Sequence, residues 1–152
     1  MSLHTACVSG DTPAAIALIE RGASVSEKDQ FGWTPLHEAC YSGHTAAAVA
    51  LIERGASVNE KDHIGRTPLH DVCYSGHTAT AVALIERGAS VNEKNQSGET
   101  PLHRACYSSH SATAIVLLEN GAVGLNNRSG WYGNTPLYPA CMYFALPMSF
   151  CE

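Results

Sequence analysis

The sequence predicts an all-α solenoid of stacked helix–turn–helix units, with hairpins projecting along one side. Three observations carry that prediction. The element TPLHEAC at Thr34 returns as TPLHDVC at Thr67 and as TPLHRAC at Thr100, each time after 33 residues. The phrase IERGAS stands at Ile19, Ile52 and Ile85 with the same spacing. The helical segments between these landmarks are too short to be stable alone, so each must bury its apolar face on a neighbouring unit.

The elements follow in chain order. A partial unit, 1–31, opens inside the repeat: LHTAC at Leu3 precedes Leu36 by 33 residues, and Thr12 with Pro13 starts its second helix. In the unit 32–64, Thr34 is an N-cap and Pro35 takes the first helical position, where its missing N–H costs nothing. Leu36, Ala39 and Cys40 share one face of this first helix. Gly43 ends it in the left-handed conformation. Thr45 is then expected to cap a second helix over 46–54, which Gly55 ends. The polar, turn-rich stretch 56–65 joins units as a hairpin.

Units 65–97 and 98–132 repeat this plan, with Ser111 as a cap and Ser109 in place of the helix-ending glycine. A degenerate last unit, 133–152, begins near TPLYPAC at Thr135, two residues late. Pro139 falls inside its first helix, Pro147 stops it, and Met142, Phe144, Leu146 and Phe150 are left without a second helix to cover them. The whole of 1–152 reads as one domain.

The period of 33, the TPLH element, the Gly43-His44 pair, the Gly-Ala-Ser-x-Asn segment and the Asp29-x-x-Gly32-x-Thr34 turn together resemble the ankyrin repeat family. The resemblance covers nearly the whole chain. It implies stacked helix pairs with a concave surface beside the hairpins, and a protein-binding module rather than an enzyme.

Composition narrows the function classes. With 45% apolar and 15% charged residues the chain is not a self-repelling disordered polymer. Nine Lys and Arg against 14 Asp and Glu, a net charge of -5, argue against nucleic acid as partner. No apolar run approaches a membrane span, and the N-terminal residues lack the pattern of a signal peptide. The expected location is intracellular and cytoplasmic, with the nucleus open.

The chemistry-bearing residues recur as scaffold. Cys7, Cys40, Cys73, Cys106 and Cys141 follow the repeat, and stacking sets equivalent positions about 8–10 Å apart, too far for a disulfide. The pairs His4/Cys7, His37/Cys40, His70/Cys73 and His103/Cys106 have ligand spacing, but stacking spreads them along the solenoid instead of converging four on one zinc. The histidines are expected to bond threonine hydroxyls and backbone between units. No nucleophile has its own context and no Gly-rich phosphate loop is present, so no catalytic residue, cofactor, metal or small-molecule substrate is assigned.

What varies against the constant frame is the candidate surface. The hairpin positions read Gln30, Phe31 and Trp33, then His63, Ile64 and Arg66, then Gln96, Ser97 and Glu99, and in the last copy Trp131, Tyr132 and Asn134. Tyr41, Tyr74 and Tyr107 follow the cysteines. Partner-binding residues are therefore expected at Phe31, Trp33, Tyr41, Ile64, Arg66, Tyr74, Glu99, Tyr107, Trp131 and Tyr132. Bulky aromatics and arginine are the residues enriched at binding hot spots. The competing reading of the tyrosines is mutual packing. The family resemblance also marks Asn59 and Asn92 as sites of asparaginyl hydroxylation, although Ser57 and Ser90 stand where such segments carry an acidic residue. The leading function is a protein–protein interaction module binding an unidentified protein as adaptor, recognition subunit or effector. Its alternatives are a metal or redox protein on the His-x-x-Cys ladder and an inhibitor covering a partner enzyme.

Overall fold

The computed structural model describes residues 1–124. The expectations for Trp131, Tyr132, Cys141 and the unit 133–152 lie outside the described residues. Eight helices run through the described part: α1 (Leu3–Ser9), α2 (Thr12–Glu20), α3 (Pro35–Tyr41), α4 (Thr45–Glu53), α5 (Pro68–Ser75), α6 (Thr78–Glu86), α7 (Pro101–Tyr107) and α8 (Ser111–Glu119). Helices α1, α3, α5 and α7 stack in one layer, and α2, α4, α6 and α8 in a second, with each pair also in contact.

The first helices begin where local chemistry dictates. Thr34, Thr67 and Thr100 are extended N-caps followed by proline, and His37, His70 and His103 close a capping box. The Thr34 backbone N–H donates to His37 Nδ1 at 3.1 Å, and Thr67 N–H donates to His70 Nδ1 at 3.1 Å. A backbone N–H only donates, so Nδ1 is the acceptor and the ring proton sits on Nε2. That proton goes to the next unit: His4, His37 and His70 Nε2 donate to the carbonyls of Trp33 (3.0 Å), Arg66 (3.2 Å) and Glu99 (3.0 Å).

The second helices start differently from expectation. Thr45 and Ser111 are first helical residues, not caps, and the N-caps are His44 and His110; in α2 the cap is Asp11, which accepts from Ala14 N–H. The Thr45 hydroxyl reaches sideways to Thr80 Oγ1 at 2.7 Å, and Thr78 to Thr113 at 2.8 Å, so these hydroxyls join units. His44 Nε2 lies 2.9 Å from the Val8 carbonyl and His110 Nε2 is 3.0 Å from that of Tyr74.

The core is a periodic column. Leu36, Leu69 and Leu102 of the first helices and Leu51, Leu84 and Leu117 of the second are sealed from solvent, beside Ala6, Ala39, Val72 and Ala105. Cys7, Cys40, Cys73 and Cys106 are buried in the same column as free thiols. Burial pushes the Cys7 thiol up to about 11 and that of Cys106 to about 12, so both stay protonated and unreactive while the fold holds.

One turn breaks the glycine rule. Gly43 has φ +76, and a Cβ there would stand 2.5 Å from His77 Nδ1. Ser109 takes the equivalent left-handed conformation with φ 62, and no histidine follows His110 in the sequence to meet its side chain. Ser109→Gly is expected to raise stability by about 0.5–1 kcal/mol by relieving the left-handed penalty. Urea denaturation checks this; an unchanged or lower midpoint contradicts it.

Candidate functional site

The fingers are built by a short side chain at their base. Asp29 Oδ1 accepts the N–H groups of Phe31 and Trp33, each at 2.8 Å. Asp62 Oδ1 accepts from Ile64 (3.0 Å) and Arg66 (2.8 Å). Asn95 does the same for Ser97 and Glu99, each at 2.9 Å, because an amide oxygen accepts as a carboxylate does. Successive fingers are laced by His63 N–H to Phe31 O (3.1 Å) and Gln96 N–H to Ile64 O (3.0 Å). Together with the histidine bonds to the carbonyls of residues 33, 66 and 99, this hangs the variable side chains beside the first helices.

The structure brings the expected residues of three units onto this face. Phe31 and Ile64 are 62% and 49% exposed at the finger tips; Tyr41, Tyr74 and Tyr107 are 43%, 39% and 70% exposed beside them. Trp33 departs from expectation, since it is not an exposed tip residue. Its ring stacks on His37 (centroids 6.2 Å), meets Tyr41 at 5.4 Å and lies 5.5 Å from the Arg66 guanidinium carbon. The rings of Tyr41 and Tyr74 stack at 6.5 Å, and Arg104 covers Tyr74 at 4.4 Å. The tyrosines thus pack on neighbours and also present ring surface to solvent.

Three residues were not singled out from the sequence: Glu38, Asp71 and Arg104. They occupy one position in successive first helices, directly after the capping histidine, and belong to the same face. The signal was present, because this is the position within TPLHxAC whose charge changes from acidic to basic. Arg66 joins Asp62 (Nε to Oδ2, 2.8 Å) and reaches Asp71 Oδ1 at 3.9 Å; Arg104 lies 3.5 Å from Glu99. Burial acts to raise the Asp62 carboxyl, but the hydrogen bonds and charge of Arg66 outweigh it and leave it lowered. For Asp71, only 2% exposed, burial wins and pushes the carboxyl up to about 7. At 3.9 Å the Arg66 charge offsets only part of that burial.

Among the described residues, the buried side-chain polar atoms without a hydrogen-bond partner are Trp33 Nε1, Asp71 Oδ2 and Arg104 Nε. All three belong to the finger and first-helix face. Each such atom costs about 1–3 kcal/mol relative to a satisfied one.

Other expectations fall elsewhere. The ladder histidines are committed to backbone and the cysteines are sealed in the core, and the described residues bring no three metal-ligating side chains together. Asn59 clamps the next unit by donating to Gly88 O (3.1 Å) and accepting from Ser90 N–H (2.8 Å); Asn92 does so with Gly121 O (3.0 Å) and Val123 N–H (2.9 Å). A hydroxylase acting there must first open these clamps. The Lys28–Glu60 and Lys61–Glu93 pairs, 2.7 and 2.6 Å, link successive fingers at the surface and add little stability. No helix of the described residues is long and apolar enough to cross a membrane.

A family model described as ankyrin repeats (3 copies) matches residues 3–95, 51–130 and 83–146. No curated protein matches the chain.

Proposed function

Because the chain belongs to the ankyrin repeat family, we propose that it is a non-enzymatic module that binds a protein partner across its finger and first-helix face. Ankyrin repeats in general are protein–protein interaction modules. The observation that supports this particular face is the location of the three unpartnered buried polar atoms. A scaffold selected for stability alone has no use for a buried indole N–H, carboxylate oxygen and guanidinium N–H left unmatched. Their common location points to a second demand on that surface, and exposed rings beside them supply the contact area.

The test pairs affinity with stability. The full chain is used to isolate its partner from the source cell, and variants are then titrated against that partner. Phe31→Ala combined with Tyr107→Ala removes two exposed rings and is expected to weaken binding by about 2 kcal/mol or more, while the melting temperature hardly moves. Glu53→Ala with Glu86→Ala, in the second-helix layer, is expected to leave affinity unchanged. The reverse pattern places the partner on the second helices and ends this reading.

A further inference from the structure

Between the first two fingers and α3 lies an open groove of about 440 Å³, walled by Phe31, Ile64 and Trp33. Its polar lining is unbalanced. Asp29, Glu38 and Asp62 set three carboxylates against the single guanidinium of Arg66. Arg66 is already committed to Asp62 at 2.8 Å, and Asp29 spends Oδ1 on the backbone of its own finger. Glu38 is left. Among the described residues its carboxylate has no ion pair and no hydrogen-bond donor, although it stands half-buried at the groove.

Resting on the binding-face reading above, we propose that this groove receives a basic side chain, arginine best, from an extended segment of the partner protein, with Glu38 as its counter-ion. The chemistry converges on that occupant. An aliphatic stem lies well against Ile64 and Phe31, and a cation is attracted to the exposed ring face of Phe31, since that of Trp33 is already taken by Arg66. A planar guanidinium both stacks on a ring and meets a carboxylate with two parallel hydrogen bonds, which an ammonium does not. An acidic side chain would meet three carboxylates. A neutral apolar one would cover Glu38 without matching its charge, and burying an unpaired carboxylate is costly. Burial and the nearby Asp29 charge act together to raise the Glu38 carboxyl, while the His4 ring acts against them, which fits an anion short of a cation.

Random twelve-residue peptides displayed on phage and selected against the full chain provide the test. The wild-type chain is expected to enrich peptides with arginine at one position, whose binding is lost in Phe31→Ala. Glu38→Gln is expected to weaken those peptides about tenfold or more with an unchanged melting curve, and Glu38→Lys to select acidic residues at that position. Enriched peptides that need Phe31 but carry no basic residue, or that bind Glu38→Gln as tightly, overturn the arginine assignment and leave the binding face standing. Failure to enrich any peptide sensitive to Phe31 or Trp33 counts against the face itself.

Discussion

Asp71→Asn is expected to stabilise the chain at pH 8 by on the order of 3 kcal/mol. The carboxyl is pushed up to about 7 by burial, from an ordinary value of 3.8. A group whose folded pKa is raised contributes its stability below the unfolded value and loses it as pH rises through the folded one. The window for Asp71 therefore runs from pH 3.8 to 7, and at pH 8 the buried charge is carried in full. Asparagine keeps the size and removes the charge, while Arg66 keeps Asp62 and Arg104 keeps Glu99. His70 has the opposite sign. Burial pushes its imidazole down to about 4 from 6.5, so its contribution is whole above pH 6.5 and is lost as pH falls to 4. In the native chain the two groups oppose each other across pH 4–6.5 and flatten the curve. In Asp71→Asn the histidine is unopposed, and stability falls on the acid side by on the order of 3 kcal/mol. Urea titrations at pH 8, 6.5 and 4.5 check both arms. A variant less stable than the native chain at pH 8 contradicts the assignment of Asp71 as a charge held at a cost.

Leu69→Ala is expected to destabilise by about 3–5 kcal/mol, near the upper end for a buried leucine. Leu69 is fully buried in α5, which packs between α3 and α7, so no solvent-side movement is open to close the cavity. The position in the array adds to this. A solenoid couples only nearest neighbours, so weakening a central unit weakens two interfaces. The equivalent change Leu3→Ala, in α1 with a first-helix neighbour on one side only among the described residues, is expected to cost less. Denaturant unfolding of both variants measures the difference; equal losses would mean that the stack does not divide into units. The same comparison calibrates the binding variants, since Phe31 and Tyr107 lie outside this column.

The helices, their N-terminal Thr-Pro starts and the Leu, Ala and Cys core were legible in the sequence because each rests on local spacing. A capping box spans three residues, and a helical face recurs every three or four. The family followed from the same repetition. The second-helix caps were misread because Thr45 has two possible partners, its own helix end and a neighbour 35 residues away, and the buried neighbour won. The candidate face was legible in part. Phe31, Ile64 and the tyrosines stand out by bulk and variation, whereas Trp33 loses its exposed role to Arg66, Tyr41 and His37. What Glu38, Asp71 and Arg104 do was decided by stacking alone. Asp71 is sealed between neighbouring units, and Glu38 is left open to the groove. Local pattern sets which residue points to the face; desolvation and charge pairing are sums over neighbouring units, and only the assembled stack supplies those neighbours.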